Sequence, residues 1–319
     1  MRLHFLLARR VPPVLSPVLR EVFRLLAAEG FAIDSATPEE AVTRPDRLAA
    51  RHDLYVLKSH TELALSLAGV LHARGARLLN PYPSCLATQN KIIASGLLWA
   101  ARVPAPDVWV TGDLRLLRDL AAARPLIIKP YLGHRGAGVR LVRDPAELDA
   151  LAPLDAPVIV QEYVEGDGED LKVYVVGDYV AAVRKPFSPD SFTLPGRPAP
   201  VSPEVRDIAL RCGRVFGLGL FGLDVVESPR GPWVVDVNTF PGYKGVPDAA
   251  SRIAQYIGAA ALRAARGEPV VAAAPPVPTV PGSALKVVLN ALSTTPATRE
   301  ELNQIRKLLD ELKERRERA

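Results

Sequence analysis

Two aspartates and an asparagine in the C-terminal half of the chain could together bind a metal ion. Asp224 and Asp236 stand symmetrically about Arg230, in the turn SPRGP. An antiparallel hairpin around that turn places the two carboxylates opposite one another, and Asn238 shares their face of the sheet. Oxygen ligands without histidine favour Mg²⁺ or Mn²⁺ bridging nucleotide phosphates. Polar residues that merely alternate outward on a half-exposed sheet would give the same pattern.

The segment PLIIKPYLGHRGAGVRLV, residues 125–142, could bind those phosphates. Lys129 ends an apolar strand, and a turn with Gly133, Gly136 and Gly138 follows it. Glycine backbone N–H groups can approach an anion closely. The sequence lacks GxxxxGK[ST], so this is not a P-loop. A plain hairpin with a flexible tip is the alternative.

Periodicity predicts a mixed architecture of α/β and α+β type. Strands alternate with helices over residues 1–85, which predicts a small domain around a parallel sheet. From residue 104 onward shorter helices join the strands, and one hairpin turns at Gly177-Asp178. A second domain therefore spans residues 86–267.

The C-terminal part differs in composition. Residues 268–283 form a Pro/Ala linker without periodicity, and residues 284–319 form a helical tail. In that tail Thr298 and Glu301 make a capping box ahead of an apolar stripe. The stripe could dock on the same molecule or allow self-association.

Composition limits the possible partners. The chain has 319 residues and a net charge of +5, but only 6% aromatic residues, and no basic patch interleaved with aromatics suggests nucleic acid. We expect a small anionic substrate instead. The apolar run before Arg9 is too short for a signal peptide or a membrane helix, and two distant cysteines suggest neither disulfide nor zinc. These features predict a cytoplasmic protein.

Taken in order, these segments resemble the ATP-grasp superfamily across residues 1–267. Lys91, in TQNKIIASGLLWAARVPAP, and Lys129, in IIKP, match its two nucleotide lysines. The resemblance implies that both reach ATP phosphates as point charges, although Lys91 could instead be a solvated helix lysine. It also implies a pre-ATP-grasp domain at the N-terminus, a central lid subdomain at about 104–162, and ATP with Mg²⁺ or Mn²⁺ as cofactors.

The stretch QEYV matches the hinge strand whose backbone reads the adenine edge in this superfamily. The resemblance places Gln161, Glu162 and Val164 at the nucleotide, with Glu162 and Val164 as the main contacts.

The acceptor is indicated by residues 170–192 and 234–248, which are similar to the inositol 1,3,4-trisphosphate 5/6-kinases. On that match Lys172 and Arg184 bind substrate phosphate or nucleotide, and Gly242 lies on the substrate loop. The match also makes metal ligands of Asp224, Asp236 and Asn238. Further cations that could bind an anionic acceptor are Lys58, His134, Arg135, Lys185 and Lys244.

The sequence departs from the pattern of the kinases at one place and from the pattern of a second family at another. The loop GHRGAGV is closer to RimK-type carboxylate–amine ligases than to the kinases, whereas an aspartate stands where those ligases usually have a glutamate. The leading hypothesis is transfer of the γ-phosphoryl group of ATP to a small anionic or polyol acceptor, with Arg184 and Lys172 as catalytic cations. The alternatives are a RimK-type ligase that forms an amide through an acyl phosphate, and a non-catalytic ATP-binding module.

Overall fold

A computed structural model describes residues 1–132, 138–186 and 196–271 of the chain. Its N-terminal part is a four-stranded parallel sheet in the order β2-β1-β3-β4, as the alternating pattern predicts. The elements are β1 (Arg2–Leu7), α1 (Pro17–Ala28), β2 (Ala32–Ala36), β3 (Leu54–Lys58), α2 (Glu62–Ala73) and β4 (Leu78–Leu79).

The first helix begins at Pro17, directly after Ser16, and both residue types are frequent at helix starts. The Ser16 hydroxyl accepts a hydrogen bond from the Leu19 backbone N–H at 3.3 Å, and Pro17 occupies the first turn. Leu19, Val22 and Leu26 are buried at the spacing of one helical face. They belong to the apolar core beneath β1 and β3.

The apolar spacing of residues 88–100 fits one helix, but the structure has two helices in this region, α3 (Tyr82–Gln89) and α4 (Lys91–Ala100). Asn90 separates them because its side-chain oxygen caps α4, accepting from the N–H groups of Ile92 at 3.1 Å and Ile93 at 3.2 Å. Lys91 is therefore the first residue of a new helix.

A second, antiparallel sheet has the order β5-β8-β6-β7, and we call it the lid sheet. Leu126, Ile128, Val142 and Val160 form its core. Its elements are β5 (Val108–Thr111), α5 (Arg118–Ala123), β6 (Leu126–Pro130), β7 (Arg140–Val142), α6 (Pro145–Asp149) and β8 (Val158–Glu162).

The third sheet is antiparallel, with the order β11-β10-β9-β12-β13, and we call it the large sheet. One face packs on α7 and α4, and part of the other packs on the core shared with β1, α1 and α8. Its elements are β9 (Glu169–Val176), β10 (Tyr179–Pro186), β11 (Arg197–Ala199), α7 (Pro203–Phe216), β12 (Leu220–Ser228), β13 (Gly231–Thr239) and α8 (Ala249–Ala265).

Asn80 joins the N-terminal sheet to the large sheet. Its fully buried side-chain oxygen accepts from the N–H groups of Gly219 at 2.9 Å and Leu220 at 3.0 Å. Its side-chain nitrogen donates to the Leu220 carbonyl at 2.7 Å. Three hydrogen bonds from one side chain thus fix the beginning of β12, the strand that carries Asp224.

Several predictions lie outside the described residues, including most of the Pro/Ala linker, the helical tail and its self-association. The domain boundaries likewise stay predictions. In the part of the chain that the structure describes, no helix is long and apolar enough to cross a membrane.

Candidate active site

The hairpin of β12 and β13 places Asp224 directly opposite Asp236 and Gly222 opposite Asn238. A β-bulge produces this register. The turn pairs Ser228 with Gly231, but Val235 is an extra residue that shifts the ladder by one. Without the bulge, Asp236 would face the other side of the sheet. The three predicted metal ligands therefore share one face, which we call the site face.

Both predicted nucleotide lysines reach β13. Lys91, at the start of α4, places its Nζ atom 3.2 Å from Asp236 Oδ1. Lys129, at the end of β6, places its Nζ atom 2.5 Å from Gln161 Oε1 and 3.4 Å from the carbonyl oxygen of the bulged Val235. The acidic hairpin and the two lysines thus line a single cleft between the lid sheet and the large sheet.

Lys172 lies inside the acidic group on the same face. Its Nζ atom is 2.9 Å from Asp170 Oδ2 and 3.1 Å from Asp224 Oδ2, and its side chain is only 13% exposed. Burial opposes the charged ammonium, but the two carboxylates outweigh it and raise the pKa of Lys172. Asp170 was missed from the sequence, although it stands two residues before Lys172 and so shares its face.

Burial and neighbouring charges also shift the pKa values of Asp224 and Lys129. Burial raises the pKa of the Asp224 carboxyl, and repulsion by Asp236 and Asp170 adds to it against the attraction of Lys172. Burial lowers the pKa of Lys129, partly offset by Asp236. A cation placed between Asp224 and the opposed Asp236 would favour the ionised form of the Asp224 carboxyl.

Arg184 is not brought to this group, which corrects the predicted catalytic and substrate-binding role. Val183 belongs to the core on the site face and Ala182 to the core on the α7 face, so Arg184 points to the α7 face. There its guanidinium pairs with Glu227 and, at 3.4 Å, with Asp167.

The neighbouring Lys185 lies on the site face instead. It stands opposite Asp170 in the ladder and is only 5% exposed. Burial lowers its pKa, and the positive charges of Lys172 and Lys244 lower it further. Lys185 and Lys244 were both predicted as further cations for an anionic acceptor. Their charges interact electrostatically, and Lys185 also interacts with Asp224 of the acidic hairpin.

The predicted adenine strand includes the end of β8 and contacts the turn of the acidic hairpin. The Glu162 carboxylate accepts a hydrogen bond of 3.0 Å from the Arg230 side chain. This bond joins the lid sheet to the turn between β12 and β13. Arg230 also lies over the Trp233 ring, 4.6 Å from its centroid. Val164 is buried at 8% exposure, and Gln161 bonds Lys129 as described. Their roles at the nucleotide stay predictions.

The predicted substrate loop follows Asn238. Lys58, at the carboxyl end of β3, places its Nζ atom 5.0 Å from the centroid of the Phe240 ring. Lys58 and Gly242 line a small pocket at the beginning of α1, together with Ser16 and Pro241. The N-terminal sheet thus contributes a cation beside the loop, and the role of Lys58 in substrate binding stays a prediction.

The glycine-rich turn is only partly described. Gly138 has a φ of +74°, and a Cβ there would lie 2.8 Å from Pro130 Cγ, so only glycine fits. Gly133, His134, Arg135 and Gly136 lie outside the described residues. Their predicted contacts with phosphate and substrate stay predictions.

A lid sheet over an antiparallel sheet, with two lysines facing an acidic hairpin, defines the ATP-grasp fold. A family model described as a RimK-like ATP-grasp domain matches residues 88–258, and the chain belongs to this family. It is 32% identical over 253 residues to a "Probable alpha-L-glutamate ligase" of Xanthomonas campestris pv. campestris, covering 73% of this chain and 84% of the relative.

Solved structures agree on the fold. A RimK domain ATP-grasp protein from Sphaerobacter thermophilus aligns with a TM-score of 0.66 at 21% identity, over 80% of this chain and 98% of the other. The D-alanine–D-alanine ligase from Bacillus anthracis aligns with a TM-score of 0.61 at 18% identity, over 84% and 99%. The chain is therefore an ATP-dependent enzyme of the ATP-grasp superfamily. These relatives favour the ligase alternative over the kinase ranked first from the sequence.

Proposed function

We propose that this protein is an ATP-dependent carboxylate–amine ligase that attaches an amino acid, with L-glutamate as the first candidate, to a carboxylate acceptor. The glutamate ligase relative, at 32% identity, supports the reaction type and the candidate substrate. The observation that carries the ATP chemistry is the single cleft in which Lys91 meets Asp236 and Lys129 meets the Val235 carbonyl.

The donor set fits a hard divalent cation. Asp224, Asp236 and Asn238 offer oxygen atoms only, from one face of one hairpin. Within the described ranges no three His, Cys, Asp or Glu side chains could hold a metal by themselves. Such a site suits Mg²⁺, which is usually bound by one or two carboxylates with phosphate and water completing the shell. When bound, Mg²⁺ supplies charge neutralisation and orientation of the ATP phosphates.

The first chemical step would form an acyl phosphate. A carboxylate oxygen of the acceptor attacks the γ-phosphorus, the bond to the β–γ bridging oxygen breaks, and ADP leaves with that electron pair. Lys91 and Lys129 would hold the phosphate charges during transfer, because both ammonium groups line the cleft. Preorganised cations act strongly in a site from which water is excluded.

The second step would form the amide. The neutral amine nitrogen attacks the carbonyl carbon, the carbon–oxygen bond to phosphate breaks, and phosphate leaves with the electron pair. The nitrogen loses its proton to the departing phosphate or to water. Lys172 and Lys185, on the site face, would stabilise the negative charge that develops on the carbonyl oxygen and the leaving phosphate.

The cations around the loop support an anionic amino-acid substrate. Lys58 lies over Phe240, and the charges of Lys185 and Lys244 act on one another. An acidic amino acid presents one or two carboxylates, which compact ammonium groups recognise well. The net charge of +5 agrees with an anionic substrate.

The test supplies purified protein with Mg²⁺-ATP, L-glutamate as the amine, and a panel of amino acids and dipeptides as carboxylates. We expect phosphate release that depends on both substrates, with a product whose mass equals their sum less water. A parallel panel of inositol phosphates tests the kinase. A phosphorylated product formed without an amine would refute the ligase, and ATP binding without turnover on any panel would favour the non-catalytic module.

A further inference from the structure

Residues 239–248, at the end of β13 and beyond it, have an unusual backbone, and we call them the substrate loop. Phe240, Tyr243 and Asp248 all have positive φ angles, of 35°, 50° and 53°. Non-glycine residues rarely adopt this conformation, and they persist there only when the surroundings hold them. Several such residues in one short loop beside the site require a specific anchor.

Tyr243 provides that anchor. Its hydroxyl donates a hydrogen bond to the Val175 carbonyl of β9 at 2.7 Å and lies 3.4 Å from the Phe221 carbonyl of β12. The side chain is 1% exposed, and its ring lies 5.3 Å from that of Tyr174. One hydroxyl therefore ties the loop to the two strands that carry Lys172 and Asp224.

The loop is also fitted closely to the backbone around it. A Cβ on Gly222 would lie 3.1 Å from Pro241 Cγ, and a Cβ on Gly245 would lie 2.3 Å from the Gly196 carbonyl. Gly222 stands opposite Asn238 in the ladder. The absence of a side chain at Gly222 thus lets Pro241 pack closely on β12. Its absence at Gly245 lets the loop pass close to the backbone of Gly196.

We propose that Tyr243 is a positioning residue for binding of the amino-acid substrate, acting through the substrate loop. By holding the loop on β9 and β12, its hydroxyl sets the positions of Gly242 and Lys244, the neighbours on either side. The inference rests on the proposed ligase function. Lys91 and Lys129 belong to α4 and β6, elements other than the loop, so the hydroxyl should affect the amino-acid substrate and spare ATP.

The test compares Tyr243→Phe with Tyr55→Phe. Tyr55 is a matched control because it is 3% exposed and its hydroxyl accepts from the Arg51 N–H at 2.9 Å, at the amino end of the N-terminal sheet. Each change removes one buried hydroxyl, so both variants should lose similar thermal stability. Only Tyr243→Phe should raise the KM for L-glutamate, by about tenfold if the loop interaction is worth a typical hydrogen bond. The KM for ATP should stay unchanged in both.

Hydrogen–deuterium exchange of the peptide covering residues 239–248 provides a second readout that needs no substrate. We expect faster exchange in Tyr243→Phe and wild-type exchange in Tyr55→Phe. If the wild type forms no amide, the ligase proposal fails, while exchange still decides whether Tyr243 holds the loop. Unchanged exchange, or equal KM changes for ATP and L-glutamate, would overturn the positioning role.

Discussion

The Nζ atom of Lys172 lies 3.1 Å from Asp224 Oδ2, directly across the ladder between β9 and β12. The same ammonium also lies 2.9 Å from Asp170. All three side chains are at most 24% exposed. Lys172 therefore compensates the charges of two mostly buried carboxylates, and it does so from β9, the strand next to the hairpin that carries Asp224 and Asp236.

Replacing Lys172 by methionine should destabilise the protein as well as inactivate it. Removing one partner of a buried ion pair leaves an uncompensated charge, at a cost of about 3 kcal/mol. Urea denaturation and turnover measure the two effects. The double variant Lys172→Met, Asp224→Asn should recover part of the stability and none of the activity, and a single variant as stable as wild type would contradict the pairing.

Substitutions of Arg184 and of Lys185 should have different effects, one on stability and the other on substrate binding. The reason is that adjacent residues of β10 face opposite sides of the sheet. Arg184→Met breaks the pairs with Glu227 and Asp167, so we expect a lower melting temperature and wild-type KM values. Lys185→Met should raise the KM for L-glutamate or lower kcat with the fold retained. The two variants are controls for each other, and the reverse pattern would restore Arg184 to the site.

Asp236→Asn should abolish turnover without unfolding the protein. The change removes a charge opposite Asp224, and it also removes the partner of Lys91 at 3.2 Å. We expect kcat to fall by about a thousandfold, since electrostatic groups at a transferring phosphoryl commonly contribute that much. Asp207→Asn, which alters a surface pair with Arg211 on α7, is the control. Wild-type turnover in Asp236→Asn would refute the metal assignment.

The two cysteines should be inert in the native protein. Burial raises the pKa of the Cys85 and Cys212 thiols to about 12, from an ordinary value of 9.0. Since the thiolate is the reactive form, alkylation near pH 8 should be negligible before unfolding and should reach both thiols in urea.

The raised pKa values of the two thiols also make the free energy of unfolding depend on pH. A pKa raised in the folded state contributes stability below pH 9.0 that is lost as the pH rises toward 12. Denaturation at increasing alkaline pH measures that loss. Rapid modification of a native thiol would show that this thiol is not buried in the folded protein. A variant with Cys212→Ser identifies which thiol reacts.

Local patterns predicted the elements and the pairing of Asp224 with Asp236, but not the bulge that produces this pairing. Symmetry about Arg230 predicts the pairing from a simple hairpin, whereas the turn at residues 229 and 230 alone would pair Asp224 with Val235. The bulge at Val235 that brings Asp236 opposite has no signal in the sequence. Likewise, β10 is apolar on both faces, so alternation alone could not assign Arg184 and Lys185 to their sides.

Contacts distant in sequence were missed for a different reason. Asn80 reads as a loop residue after a short strand, and its partners at Gly219 and Leu220 lie about 140 residues away, as the separations of 139 and 140 show. The break at Asn90 was locally visible as a capping residue, but an unbroken helix fits the same apolar spacing. Tertiary contacts decided both cases.

The Asn80 junction also determines which part of the molecule can open for nucleotide exchange. Separating the N-terminal sheet from the large sheet would leave two buried N–H groups and a carbonyl without hydrogen-bond partners. Such a loss has a high cost in free energy when the groups are shielded from water. The described contacts from the lid sheet to β13 and its turn include Lys129 to Val235 and Arg230 to Glu162, the latter with a largely solvated guanidinium. ADP should therefore depart by a swing of the lid sheet, while the substrate loop and its anchoring strands stay in place for the next turnover.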